Sequence, residues 1–221
     1  MTSDLISNAE RIMKMAVKEG AEQAEVYLES RENLVMRITR VSGKDNFTAR
    51  DQIITGAAIR IIKGGALGFA YLSNIEDESV KSSVRNALKV AEPQAGLKSF
   101  LGHPKSYPRV SGILDKHTAE MRPEEAMSCV EAIRKNAAEV DGSRVTVYDS
   151  LFGRSRHGFA VVNTQGLNVE DYGSFARIAI GLSAKDGTEA KREVYAVERA
   201  VKDFSIVKDF AARNAHEVLR Y

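Results

Sequence analysis

The run Gly56-Ala-Ala-Ile-Arg-Ile-Ile-Lys-Gly-Gly-Ala-Leu-Gly-Phe-Ala-Tyr71 decides the fold of this 221-residue chain. Its first half is rich in isoleucine and other apolar residues, a composition typical of a β-strand. Gly64 and Gly65 then form a two-residue turn that tolerates positive φ, and a second apolar run follows. We predict a β-hairpin here, with Gly64 and Gly65 at its turn.

A helix, further strands and another helix are predicted around this hairpin. Gly20 stands where a left-handed helix cap belongs, and strand-like alternation follows over Ala24–Ser30 and Leu34–Ile38. Phe47–Gln52 shows a weaker strand pattern. Apolar residues at helical spacing predict a helix before these strands and another after the hairpin. The first stripe is Leu5, Ile6, Ala9, Ile12, Met13, Ala16 and Val17, and the second is Val80, Val84, Ala87, Leu88 and Ala91.

The second half of the chain repeats this order. Pro123 stands at a first-turn position of a helix, and Val145-Thr-Val-Tyr148 corresponds to Ala24-Glu-Val-Tyr27 of the first half. Strand-like runs and a last helix follow. The apolar face of its first helix consists of Ala126, Cys129, Val130, Ile133 and Ala137, and the last helix carries at helical spacing Ile206, Val207, Phe210, Ala211, Asn214, Ala215 and Val218.

The residues between the two halves lack periodicity. Three of the four prolines lie between Glu92 and Met121, together with several glycines. We predict a first unit over residues 1–92, a linker or crossover over 93–121 and a second unit over 122–221. The fold class is α+β, with two related helix–antiparallel meander–helix units whose helices pack on one side of their sheets.

Composition and charge narrow the function classes. The 32 basic and 30 acidic side chains nearly cancel, which gives no support for a nucleic-acid surface. The N-terminal residues lack an apolar signal core, and no run approaches the roughly 18 apolar residues of a membrane span. We expect a soluble cytoplasmic protein that binds neither nucleic acid nor membrane.

No catalytic constellation is visible in either half. The four histidines, His103, His117, His157 and His216, include no pair at the i, i+4 spacing of zinc-binding helices. Cys129 falls on an apolar helix face, which favours a buried structural thiol over a nucleophile. Phosphate-binding loops and dinucleotide fingerprints are absent from the sequence. We therefore predict no catalytic, cofactor-binding or metal-binding residue in this chain.

Four basic residues on predicted strands leave two interpretations open. Arg37, Arg40, Arg60 and Lys63 could mark a groove for an acidic or peptide partner, or they could belong to a solvated sheet face. Their spacing alone does not distinguish the two.

The quoted hairpin resembles the best-marked N-terminal stretch of the TldD/PmbA family, whose members were once called modulators of DNA gyrase. The shared pattern is a glycine, a strand arginine (Arg60), a glycine turn and then Gly68-Phe69-Ala70. Ala24-Glu-Val-Tyr27 and the turn Asn163-Thr-Gln-Gly166 agree with it as well. The resemblance covers essentially the whole chain.

The resemblance implies a metallopeptidase architecture that acts on peptides or partly unfolded proteins as a homodimer or heterodimer. In the catalytic branch, zinc is held in a C-terminal domain by a His-Glu-x-x-x-His helix and a later cysteine, and none of those positions exists here. The family also contains a non-catalytic partner branch. The resemblance therefore leaves open whether the protein is an enzyme, and the chain alone is expected to be inactive.

Three hypotheses follow. In the first, the chain is the N-terminal substrate-guiding and dimer-forming region of a TldD/PmbA-type zinc peptidase, whose C-terminal domain lies outside it. In the second, it is a non-catalytic interaction module or partner-type subunit. The third is nucleic-acid binding. For the first, we expect the hairpin residues to form a structural corner of a peptide groove: Arg60, Gly64, Gly65, Gly68 and Phe69.

Overall fold

The computed structural model describes residues 4–91, 99–102, 106–108, 110–186, 190–200 and 206–220. Its helices are α1 (Leu5–Lys18), α2 (Asp77–Val90), α3 (Lys116–Glu120), α4 (Pro123–Asp141) and α5 (Ile206–Leu219). Its strands are β1 (Gln23–Val41), β2 (Lys44–Lys63), β3 (Ala66–Leu72), β4 (Val145–Asn163), β5 (Asn168–Asp186) and β6 (Ala190–Ala200). The strands form one sheet in the order β3-β2-β1-β4-β5-β6, which confirms the α+β class.

The predicted hairpin is confirmed. β2 and β3 are antiparallel, with Lys63 opposite Ala66 and Ala57 opposite Leu72. Gly64 and Gly65 have φ values of 58° and 76°. Positive φ at both central positions defines the turn type that matches the twist of paired strands. The two glycines adopt this conformation without strain.

The strands are longer than the sequence pattern predicts. Ala24–Ser30 and Leu34–Ile38 are parts of the single 19-residue strand β1, and Phe47–Gln52 lies inside the 20-residue strand β2. The pattern breaks at residues 31–33 because Arg-Glu-Asn carries no apolar side chain. Backbone pairing needs no apolar side chain, so the strand continues through this polar stretch.

The described residues group into two compact units that interleave along the chain. The first unit consists of Met1–Arg31, Ile53–Val110 and His157–Tyr172, and the second of Glu32–Gln52, Ser111–Arg156 and Gly173–Tyr221. The strands β1, β2, β4 and β5 each contribute residues to both. The predicted division into 1–92 and 122–221 concerns sequence order and the repeat, and it stays a prediction.

In the first unit, α1 and α2 pack against one face of the sheet. Alternate residues of the strands point to these helices, among them Val26, Leu28, Ile59 and Ile61, and all four are buried. Most of the predicted helix stripes are buried too: Leu5, Ala9, Ile12, Ala16, Val80, Val84 and Ala87. Ile6, Met13 and Leu88 are partly buried, and Val17 is exposed. Gly20 follows α1 with φ 111°, as its predicted role in the helix cap requires.

In the second unit, α4 and α5 contribute to the core. The buried residues of α4 are Ala126, Val130, Ile133 and Ala137, and those of α5 include Phe210, Ala211, Ala215 and Val218. The side chains of Ile206 and Val207 lie outside the described part. Asn214 is buried within α5 and donates a hydrogen bond to the Phe210 carbonyl, which satisfies its amide in the core.

The described residues of the predicted linker include the short helix α3. Asp115 begins α3 by accepting hydrogen bonds from the backbone N–H and the hydroxyl of Thr118. A serine, threonine or aspartate cap of this kind stabilises a helix start locally. Residues 93–98, 103–105 and 109 of the predicted linker lie outside the described residues.

Candidate functional site

The sheet of the first unit has a second face, opposite its helices. Because strand side chains alternate, β1, β2 and β3 present Tyr27, Arg60, Phe69 and Tyr71 on this face. Tyr71 is 82% exposed and Phe69 is 53% exposed. The Tyr27 ring stacks on Phe159 of β4 at a centroid distance of 5.8 Å. We call this surface the open face.

An ion pair between Arg60 and Glu25 lies on the open face. The Arg60 Nε is 2.9 Å from Glu25 Oε1, and its Nη2 donates to the same oxygen. The Glu25 side chain is 9% exposed, whereas that of Arg60 is 52% exposed. Asn163 Nδ2 donates to the other carboxylate oxygen at 3.2 Å. The buried carboxylate is therefore paired and hydrogen-bonded, as a buried charge requires.

Asn163 connects this pair to a turn. Its Oδ1 accepts from the backbone N–H groups of Gln165 and Leu167, at 2.8 and 3.0 Å. Gly166 has φ 89°, which a glycine adopts without strain. The turn Asn163-Thr-Gln-Gly166 therefore has a structural reason for its residue types: the asparagine closes the turn and also holds Glu25.

Two adjoining depressions run along the open face. One, of about 370 Å³, is lined by Glu25, Tyr27, Ala58, Arg60, Phe69 and Val161. The other, of about 410 Å³, is lined by Tyr27, Glu29, Arg31, Ile54, Gly56, Ala57, Ala58, Tyr71 and Leu72. They share Tyr27 and Ala58, so we treat them as one groove. Its walls are mostly apolar and aromatic, with the Arg60–Glu25 pair at one end.

The five predicted groove residues fall into three places. Arg60 and Phe69 are cross-strand partners, and both line the groove. Gly64 and Gly65 form the hairpin turn, and Gly68 faces α2 on the helix side. That these residues bind a peptide stays a prediction.

Sequence reasoning did not select Glu25, Tyr27 or Asn163 as site residues. Glu25 and Tyr27 alternate with Ala24 and Val26 along the strand. This alternation is the sequence signal that places them on the face opposite Val26.

Comparison with known proteins identifies the family. Two family models match the chain: PmbA/TldA metallopeptidase domain 1 over residues 24–91, and the PmbA/TldA metallopeptidase central domain over residues 116–220. The chain belongs to the TldD/PmbA family. An uncharacterized protein of Methanocaldococcus jannaschii is 23% identical to this TldD/PmbA chain over 174 residues, which cover 78% of this chain and 38% of that protein.

Solved structures share the fold. TldE from Thermococcus kodakarensis superposes with a TM-score of 0.80 at 21% identity, over 96% of this chain and 47% of that one. A protein described as a modulator of a DNA gyrase, from Thermotoga maritima, gives 0.78 at 19% identity, over 96% and 47%. A similarly described protein from Bacteroides thetaiotaomicron gives 0.76 at 19% identity, over 100% and 51%. The chain thus spans about half the length of these structures.

The described residues of this TldD/PmbA chain bring together no group of three or more His, Cys, Asp or Glu side chains that could hold a metal ion. His103 lies outside those residues. None of the helices that the structure describes combines the length and apolar character needed to cross a bilayer.

Three of the four basic residues that the sequence singled out form ion pairs. Arg60 pairs with Glu25, Arg37 with Asp149 and Arg40 with Asp45. Lys63 is exposed beside the hairpin turn. Of the four, only Arg60 lines the groove on the open face.

Cys129 is half-buried against the core of the second unit, on α4. Burial, and to a smaller extent the charge of Glu125, raises the pKa of its thiol above the ordinary value of 9.0. Both causes disfavour the thiolate, which is the nucleophilic form. The structure thus agrees with a structural thiol.

This shift predicts slow alkylation of Cys129. At about pH 8.5 iodoacetamide should modify the folded chain several-fold more slowly than the same chain in urea, because a raised pKa leaves less thiolate. The rate on the folded chain should rise further with pH than the rate in urea. Mass spectrometry against time measures both rates, and since Cys129 is the only cysteine no other site interferes. Equal rates in the two states would contradict the assignment.

Proposed function

We propose that this chain is the substrate-guiding and dimer-forming region of a cytoplasmic TldD/PmbA-type zinc metallopeptidase, whose catalytic zinc domain lies outside the sequence described. Its substrate is an extended peptide or a partly unfolded protein. The observation that carries the proposal is the groove on the open face of the first unit, which runs beside an edge of β2 that no described strand covers.

The strand edge supplies backbone recognition. β3 pairs with β2 only from Ala57 to Lys63, and no described strand lies beside the same edge of β2 before Ala57. Ile54 and Gly56, on that stretch, line the groove. An extended peptide can hydrogen-bond to such an edge through its main chain, whatever its side chains are.

The groove supplies side-chain contacts of low selectivity. Tyr27, Phe69 and Tyr71 offer exposed aromatic surface, which binds apolar side chains with little entropy loss. The Arg60–Glu25 pair is neutral overall, so the groove does not demand a charged ligand. Both features suit a region that accepts peptides of many sequences.

Binding of an unfolded polypeptide tests the groove. Fluorescein-labelled unfolded casein should bind the chain, and Phe69→Ala should weaken binding about ten-fold in fluorescence anisotropy. Leu67→Ala is the matched control, because Leu67 is equally exposed on β3 but lines neither depression. Equal affinities for the two variants would exclude the groove as the binding surface.

A peptidase assay tests the division of roles. The full-length protein should cleave peptides only with zinc, and this chain alone should bind without cleaving. Zinc-dependent cleavage by the isolated chain would overturn the assignment. Binding without cleavage by the full-length protein would identify a partner-type subunit, and light scattering of that protein would determine whether it is a dimer.

A further inference from the structure

The second unit contains a cavity of about 380 Å³ with basic walls. Three of its described lining residues are cationic and none is acidic. Its lining consists of Arg40, Arg134, Lys135, Ala138, Gly142, Val145, Thr146 and Val147. A cavity of this size holds far more than one water molecule.

Arg134 is the most buried of the three cationic side chains, at 17% exposure. Its Nη2 donates to Asp45 Oδ2 at 2.8 Å. Its Nη1 is buried and has no hydrogen-bond partner within the part of the chain that the structure describes. Leaving a buried donor of a charged group without a hydrogen bond is costly, so an acceptor that reaches this guanidinium would stabilise it.

Positive charge exceeds negative charge around the cavity. The single carboxylate of Asp45 is shared by two guanidinium groups. Its Oδ1 lies 3.8 Å from Arg40 Nε, and its Oδ2 is bound by Arg134. Lys135 lies 3.9 Å from Glu139, and both side chains are mainly exposed. Such an exposed pair is screened by solvent and leaves the lysine free to bind another anion.

The dipole of α4 does not explain the presence of Arg134 and Lys135 at their positions in this helix. Cations near the end of a helix stabilise its dipole, but this effect is confined to the last turn. The last turn of α4 contains no basic residue, and Arg134 and Lys135 precede it. The helix dipole therefore does not explain why Arg134 and Lys135 line the same cavity as Arg40 of β1.

We propose that this cavity binds a phosphate group. A dianion there would pair with Lys135 and Arg40, and the Arg134 guanidinium and the hydroxyl of the exposed Thr146 would supply further donors. Guanidinium groups suit phosphate because their planar donors match its oxygens. The site lies within the second unit, and the proposal does not depend on the peptide groove.

Nuclear magnetic resonance titration of the chain with inorganic phosphate tests the proposal. Saturable shifts should appear in the amide signals of Gly142, Thr146 and Val147. Lys135→Met should weaken binding about five-fold, since it removes one exposed charge from the site. Lys89→Met, which removes an exposed lysine from the last turn of α2, is the matched control and should leave the affinity unchanged.

Three outcomes of the phosphate titrations would overturn the phosphate site. They are the absence of saturable shifts, equal losses in the Lys135 and Lys89 variants, and shifts that spread over all basic residues. Acetate serves as the carboxylate arm: binding as tight as that of phosphate would identify a monoanionic carboxylate site instead. Arg40→Gln is a second variant, because Arg40 is partly exposed and its loss should preserve folding.

Discussion

Gly68→Ala is expected to lower the free energy of unfolding by about 3 kcal/mol, because β3 lies directly on α2 at this residue. A Cβ at residue 68 would stand 2.1 Å from the Ala87 carbonyl oxygen and 3.0 Å from Ile61 Cγ1. The nearest atom belongs to the backbone of a helix, which cannot move aside as a side chain tip can. The strand and the helix must separate, and urea denaturation measures the loss.

Gly153→Ala is the control for this prediction. Gly153 also lies within a strand, but an added Cβ would meet its nearest neighbours at 3.5 Å, which is ordinary contact. The same substitution should there change stability by less than about 1 kcal/mol. If the two variants unfold at the same urea concentration, close packing of β3 on α2 is not what requires glycine at residue 68.

Gly68 also shows where the sequence was informative and where it was not. The hairpin could be predicted with its turn, because Gly64 and Gly65 sit between two apolar runs and turn chemistry is local. The prediction that Gly68 belongs to a structural corner of the groove gives no reason for its missing side chain, and the structure supplies one in the contact with α2. That contact joins β3 to Ala87, and no local pattern reports a neighbour 19 residues away.

In the ion pair of the open face, the sequence likewise predicts the position of one residue but not the identity of its partners. Arg60 could be placed on a strand face from the alternation of Ile59 and Ile61 around it. Its partner Glu25 lies 35 residues earlier, and Asn163 lies 138 residues from Glu25. Such partners meet only when the strand order and register are known, so the sequence could not show that the arginine is neutralised.

Strand continuity escaped prediction for a related reason. The alternation that marks a half-buried strand is imposed by a core on one face. Along β1 the residues of the first unit end at Arg31 and those of the second begin at Glu32. Polar residues at this boundary between the units interrupt the apolar pattern. The backbone hydrogen bonds of the sheet continue there because they do not depend on that pattern.

Arg37→Met is expected to destabilise the chain by about 2–3 kcal/mol, because it leaves a buried carboxylate without its partner. Arg37 holds Asp149 with two hydrogen bonds of 2.8 Å, from Nε to Oδ1 and from Nη2 to Oδ2. The Asp149 side chain is only 3% exposed, whereas that of Arg37 is 44% exposed. The hydrogen bond to Asp149 is also the main cause of the raised pKa of Arg37.

A double-mutant cycle distinguishes the loss of this pair from the loss of packing by the long arginine side chain. Arg37→Met combined with Asp149→Asn should recover much of the stability, since the amide carries no charge to leave unpaired. Arg31→Met is the matched control: its pair with Glu29 is exposed, so its removal should cost less than about 1 kcal/mol. If the double variant is as unstable as the sum of the two single variants, Arg37 stabilises the sheet through its aliphatic contacts, and the ion pair contributes nothing.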